Sequence, residues 1–248
     1  MTKIAIIGGS GLENPEILQN AKHIKVETPY GEPSSDFICG TIGQAAVVLL
    51  SRHGRDHTIP PSQVNNRANL FAIQQLGCTH ILATTACGSL RENIGRGDLV
   101  IPDQFIDFTR HREITFFKEF LPNEMKHTPM ADPFHSQLRE KIITAGCELG
   151  LSIHKVGCIL TIEGPRFSTR AESRMFRSWG GDMINMSTAP ECILANELGI
   201  PYAAIAMATD YDSWKEDETP VSWEEILHVF GQNVHNVINI LLKVIPTI

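Results

Sequence analysis

Residues 65–85 read NNRANLFAIQQLGCTHILATT, and this stretch decides the fold. From Asn65 to Leu76, the residues Ala68, Leu70, Phe71, Ile73 and Leu76 share one helical face, and Gly77 supplies a glycine stop. Residues 80–85 then form a nearly continuous apolar run, the pattern of a strand covered on both faces. The same alternation extends in both directions. Residues 3–7, 45–50, 99–102, 156–162 and 202–209 read as further buried strands. Residues 139–149, 171–179 and 190–198 read as helices, the last closed by Gly199. Ser222 and Glu225 have capping-box spacing and predict a final helix running to about Val244. Repeated strand–helix alternation without a linker or internal repeat predicts an α/β fold. It consists of one domain over residues 1–248, with a central mixed, mostly parallel sheet flanked by helices.

The composition is that of a folded, water-facing protein. Of 248 residues, 42% are hydrophobic and 20% charged, which excludes disordered, collagenous and coiled-coil classes. With 21 Lys and Arg against 28 Asp and Glu, the net charge of −7 argues against a nucleic-acid or anionic-membrane surface. No apolar run reaches the ~18 residues needed to cross a bilayer, and the N-terminus lacks the features of a secretory signal. Six cysteines are scattered without a C-x-x-C pair, five of them among small or apolar neighbours, as in buried free thiols. The expected compartment is the cytoplasm.

In such a sheet, ligands bind beyond the carboxyl ends of the strands. The segments directly after the strands are therefore informative: Gly8-Gly9-Ser10-Gly11, Arg52-His53-Gly54-Arg55, Thr84-Thr85-Ala86-Cys87-Gly88-Ser89, Glu163-Gly164-Pro165-Arg166-Phe167 and Asp210-Tyr211-Asp212. The first fails as a dinucleotide fingerprint, because Asn14 stands where the last glycine belongs, and it lacks the G-K-[ST] of a Walker loop. It remains a turn suited to an oxyanion or a plain structural turn. Arg52 and His53 can both donate to a phosphate-like oxygen. His53 and His57 have i, i+4 spacing, but Gly54 argues against the helix a metal pair would need, and no metal is expected. Cys87 reads as a packing thiol. Asp210 and Asp212 alternate onto one side of a strand end, where two adjacent carboxyls seldom both ionise, so one can serve as a general acid. Phe167 and Met186 would line a slot for a flat heterocycle. Anion donors at one end and carboxyls at the other suit a glycosidic bond between them.

These motifs, with Ile184-Asn185-Met186 and Ala208-Thr209-Asp210-Tyr211-Asp212, closely resemble the trimeric purine nucleoside phosphorylase family, in its branch acting on 5′-methylthioadenosine. The resemblance runs from about Lys3 to the final helix and implies the family's type I nucleoside phosphorylase fold. It implies phosphorolysis of the nucleoside to adenine and 5-methylthioribose 1-phosphate. Inorganic phosphate would be the co-substrate, with no metal or organic cofactor. Ser10, Arg52, His53, Thr85, Ala86 and Ser187 would hold phosphate. Phe167, Ile184, Asn185 and Met186 would hold base and ribose. Asp210 would protonate N7 and Asp212 would face the 6-amino group. Val221, Trp223 and Leu227 would line the 5′-methylthio pocket, and His127 would reach it from a neighbouring subunit of a homotrimer or a dimer of trimers. The Asp pair favours a 6-aminopurine; the alternative on the same fold is a 6-oxopurine nucleoside or 5′-methylthioinosine phosphorylase. Positions 10 and 187 carry Ser where close animal enzymes have Thr, which retains the hydroxyl. The chain ends at Ile248, short of those enzymes' C-terminal extension, so adenosine or 5′-deoxyadenosine is an expected additional substrate. A nicotinamide oxidoreductase, a water-using nucleosidase and a non-catalytic nucleoside-binding module are the competing classes.

Overall fold

The computed structural model describes residues 2–9, 12, 17–216 and 223–248, with the side chains of residues 223–230 and 232 excepted. Among the described residues, eleven strands form one sheet. They are β1 (Lys3–Gly8), β2 (Gln19–Ile24), β3 (Phe37–Ile42), β4 (Ala45–Ser51), β5 (His80–Ser89), β6 (Leu99–Val100), β7 (Gln104–Phe108), β8 (Ile153–His154), β9 (Cys158–Ile162), β10 (Met183–Asn185) and β11 (Tyr202–Tyr211). The helices are α1 (Asn66–Gln75), α2 (Ser136–Glu148), α3 (Arg170–Ser178), α4 (Thr188–Glu197) and α5 (Trp223–Val244). No helix of the described residues is long and apolar enough to cross a membrane.

The sheet is mixed and mostly parallel. β5 is its hub, parallel to β1 on one side and β11 on the other, and antiparallel to β10 at its far end. The β-hairpin of β3 and β4 and the outer strand β2 add antiparallel pairings beside β1. Alternate residues of β1 enter different cores, as a two-faced strand requires: Ile4 and Ile6 pack with Leu138, Ile142, Val237 and Leu241 from α2 and α5. Ala5 and Ile7 pack on the opposite face with Leu70 and Ile73 of α1 and Leu194 of α4. A smaller cluster around Leu160, Ile184 and Phe176 seats α3 beside the far end of the sheet.

Two central strands run further than the hydropathy pattern indicates. Residues 86–89 continue β5 beyond the expected end at Thr85, and β11 extends through Asp210 to Tyr211. Small and hydroxyl side chains can still occupy a strand there because β11 pairs with β5 along this whole length. The stretch 156–162 is strand only from Cys158, Val156 being exposed. The second helix begins at Ser136, where His135 Nδ1 accepts from the Leu138 N–H at 3.4 Å. The capping box expected at Ser222 lies outside the described residues. One is present at α3: Thr169 Oγ1 accepts from the Glu172 N–H at 3.2 Å and the Glu172 carboxylate from the Thr169 N–H at 2.8 Å. The thiols are less uniformly buried than their neighbours indicate. Cys78, Cys87 and Cys192 are buried, Cys39 and Cys158 are half-buried, and Cys147 is exposed on the last turn of α2.

Candidate active site

A cavity of about 150 Å³ opens where the ends of β1, β4, β5, β10 and β11 converge. Its lining includes Arg52, His53, Thr85, Ala86, Phe167, Ile184, Asn185, Met186, Ser187, Asp210 and Asp212. The chain thus brings eleven of the residues singled out from sequence into one space, although they come from five separate segments. Ser10 and Val221 lie outside the described residues, as do the side chains of Trp223 and Leu227, whose backbone belongs to α5. His127 does not line the cavity. It is exposed in the segment between β7 and α2, with its ring 6.0 Å from that of Phe120.

One end of the cavity is built to meet an anion. Arg52 follows β4 directly and is almost wholly buried. Its Nε and Nη2 donate to the two carboxylate oxygens of Glu191, and its Nη1 donates to the Thr84 carbonyl at 2.9 Å. Burial alone would lower the pKa of the guanidinium, but the adjacent Glu191 carboxylate reverses the shift and keeps it charged. Gly9 closes over this group. Its N–H donates to Thr84 Oγ1 at 3.2 Å, and a Cβ there would stand only 2.8 Å from Arg52 Nη1, so glycine is required. His53 Nδ1 lies 2.9 Å from the Ile59 carbonyl, which can only accept, so Nδ1 carries the hydrogen.

Asn185 organises the hydroxyls beside Arg52. Its Nδ2 donates to Thr85 Oγ1 at 3.0 Å and to Thr188 Oγ1 at 2.5 Å, while Thr161 Oγ1 donates to its Oδ1 at 2.9 Å. Thr85 Oγ1 lies 3.3 Å from Ser187 Oγ. Thr85 Oγ1 accepts from Asn185 and donates to the Ala86 carbonyl at 3.3 Å, so its hydroxyl is held at the strand end beside Ser187.

At the other end, Asp210 and Asp212 do share one side. A Cβ on Gly88 would lie 3.1 Å from Ile184 Cγ2 and 3.4 Å from both Asp210 Oδ2 and Asp212 Cβ, so the two aspartates meet the same point of β5. A register shift between Ala208 and Asp210 accompanies this placement. Thr209 Oγ1 donates to Asp210 Oδ1 at 2.7 Å. Asp212 is buried, and Ser168 Oγ lies 2.8 and 2.7 Å from its two oxygens. Burial raises the pKa of the Asp212 carboxyl, with the Ser168 hydroxyl opposing the shift in part. Cys87, beneath the same wall, has its thiol pKa pushed up to about 12 by burial, so at neutral pH it is a packed thiol and not a nucleophile.

The apolar wall depends on residues that sequence reasoning missed. Arg112 donates from Nε to Glu163 Oε1 at 2.8 Å and from Nη2 to the Glu163 and Met186 carbonyls at 2.6 and 3.2 Å. This ties the segment after β9 to the segment after β10. Gly164 has a φ of +65° and packs directly on Met186 Sδ, leaving no room for a side chain. Phe167 sits at the rim, 59% exposed, where a ring can meet an incoming ligand. Glu191, Ser168 and Arg112 have no local sequence signal. Glu191, set among apolar and small residues between Pro190 and Cys192, is the only hint of a buried ion pair.

Comparison with known proteins decides the family. The family model described as the phosphorylase superfamily matches residues 3–246. The chain belongs to the phosphorylase superfamily. Among superfamily relatives, S-methyl-5′-thioadenosine phosphorylase of Xenopus tropicalis is 54% identical, the match covering 99% of this chain and 89% of that protein. The Danio rerio enzyme of the same name is 52% identical over the same shares. Among solved superfamily structures, methylthioadenosine phosphorylase from Schistosoma mansoni in complex with adenine is 42% identical with a TM-score of 0.94. It covers 100% of this chain and 92% of that one. A Ser-to-Thr variant of the adenosine/methylthioadenosine phosphorylase from the same organism, in complex with methylthioadenosine, gives a TM-score of 0.92 at 41% identity, with the same coverage.

Proposed function

We propose that this chain is a pentosyltransferase that phosphorolyses 5′-methylthioadenosine to adenine and 5-methylthioribose 1-phosphate. The observation that carries the reading is the single cavity with a buried, charged Arg52 at one end and the Asp210/Asp212 pair at the other. Arg52, His53, Thr85, Ala86 and Ser187, with Ser10 from the first turn, hold phosphate below the anomeric carbon. The phosphate charge steadies an oxocarbenium-like transition state. Phe167, Ile184, Asn185 and Met186 hold base and ribose, and Asn185 also orients the Thr85 hydroxyl. Asp210 donates to N7 as the C–N bond lengthens, and Asp212 accepts from the 6-amino group. A 6-oxopurine would turn a lone pair toward that carboxyl oxygen and be rejected. Phosphate is the co-substrate, and neither metal nor organic cofactor takes part.

Val221, Trp223 and Leu227 form the 5′-methylthio pocket, and the His127 of a second copy completes it in a homotrimer or a dimer of trimers. The exposed position of His127 beside Phe120 supports this reading. The free, buried thiols of Cys78, Cys87 and Cys192 support a reducing, cytoplasmic setting.

The deciding experiment is chromatography of base released from 5′-methylthioadenosine and from 5′-methylthioinosine, each with and without phosphate. Adenine released only with phosphate is the expected result. Release of adenine without phosphate would make the protein a nucleosidase. Hypoxanthine from the inosine analogue alone would overturn the role of the Asp pair.

A further inference from the structure

Glu191 takes no part in the mechanism above, yet it is the most buried acidic residue near the cavity, only 1% exposed. It lies in the first turn of α4, 139 residues away from the arginine it meets. Its two carboxylate oxygens take Arg52 Nε and Nη2, and Oε2 also accepts from the Tyr202 hydroxyl at 3.0 Å. Tyr202 is itself buried, and burial raises its pKa well above the ordinary value, so it remains a neutral donor.

A guanidinium has five N–H groups. Glu191 occupies the one on Nε and one on Nη2, and the Thr84 carbonyl occupies one on Nη1. One hydrogen on each terminal nitrogen is left for a ligand. The plane of the fork is then fixed at three points before any anion arrives. Turnover makes this necessary. Each cycle ends with the sugar phosphate leaving, and a buried guanidinium without a permanent partner would then be uncompensated.

We infer that Glu191, braced by Tyr202, is a positioning residue for phosphate: it holds the Arg52 fork charged and oriented while the anion site turns over. The inference rests on the phosphorolysis reading above. It concerns the acceptor anion alone and leaves the nucleoside end untouched, and this asymmetry is what a test can read.

The test uses the full chain as E191Q and Y202F. Phosphate is varied at saturating 5′-methylthioadenosine, and the nucleoside is varied at saturating phosphate. Thermal shifts are recorded with inorganic phosphate and, separately, with adenine. Because Gln presents an N–H to the Arg52 fork, E191Q should raise the KM for phosphate by at least ~10-fold while the nucleoside KM stays within ~2-fold. Phosphate should no longer raise the Tm of E191Q, whereas adenine still should. Y202F should move the phosphate KM in the same direction by a smaller factor. An unchanged or lower phosphate KM in soluble E191Q, or equal changes in both KM values, would overturn the inference. If E191Q does not fold, Y202F decides, and an unchanged phosphate KM there overturns it. Wild-type protein that releases adenine without phosphate would instead fail the function reading. The phosphate thermal shift of wild type against the variants would still test the clamp.

Discussion

Replacing Gly9 with alanine is the sharpest perturbation of the anion end. A Cβ at this position would stand 2.8 Å from Arg52 Nη1 and 2.9 Å from the Thr84 carbonyl oxygen. Carbon contacts become comfortable only near ~3.5 Å, so both neighbours would have to retreat by roughly half an ångström or more. Neither can do so freely. They are bonded to each other at 2.9 Å, the guanidinium is held from behind by Glu191, and the carbonyl belongs to a strand paired on both sides. Overpacking of this kind costs about 1–3 kcal/mol. For a chain of this size that corresponds to a fall in Tm of about 2–12 °C. A misplacement of ~1 Å can cost ~10²-fold in rate, so half of it should lower kcat/KM for phosphate by roughly 10-fold. The nucleoside KM should change much less. Differential scanning fluorimetry and adenine release at varied phosphate would measure both effects. A soluble Gly9→Ala protein with wild-type Tm and wild-type phosphate KM would refute the close packing of Gly9 on Arg52.

The remaining expectations concern the carboxyl end and the thiols. Asp210→Asn should cut adenine release by ~10²–10⁴-fold, the scale of a lost general acid, and turn preference toward 6-oxopurine nucleosides. Full activity on 5′-methylthioadenosine would remove Asp210 from its role. Burial raises the pKa of Asp212, so the folded state binds that proton more tightly than the unfolded chain does. The resulting stability is full below the ordinary carboxylate range and is lost as pH rises through the raised value. Asp212→Asn removes this titration, and its Tm relative to wild type should climb as pH rises above the ordinary carboxylate range. A difference independent of pH would show that Asp212 is not desolvated. Peptide mapping after brief iodoacetamide treatment should find Cys147, which is exposed, modified well before Cys87, whose thiol pKa is pushed up to about 12. Early labelling of Cys87 would mean that its wall of the cavity opens.

The strands legible in the sequence were those buried on both faces, because only they produce continuous apolar runs. β1, β4 and β5 are of this kind, with Ile4 to Ile7 and Val47 to Leu50 nearly inaccessible. β2 was not legible: QNAKHI is exposed throughout and owes its strand state to pairing with β3. β8 and β10 are two and three residues long, too short for any period to register. The candidate site followed the same logic. Arg52, Thr85 and the Asp210/Asp212 pair announced themselves as polar residues adjoining apolar runs. Glu191 did not, since an ion pair between the residue after β4 and α4 depends on how the helix docks and leaves no local pattern. The clasp of Ser168 on Asp212 is of the same kind, as is the bridge from Arg112 to both Glu163 and Met186.

β5 also acts as a measuring rod. Thr85 stands at the anion end and Gly88 against the carboxyls, three residues apart on one strand, or about 10 Å at the usual rise of ~3.3 Å per residue. The separation between the group that takes the sugar and the group that releases the base is therefore set by the backbone of β5 and by the register of β11 beside it. It needs no closing domain to establish it, and no loop can be lengthened to change it. Inserting a residue between Thr85 and Gly88 would turn the subsequent side chains to the opposite face. Descendants of this chain can acquire new substrates by altering the walls around the rod, but the reach between acceptor and leaving group is inherited with the strand.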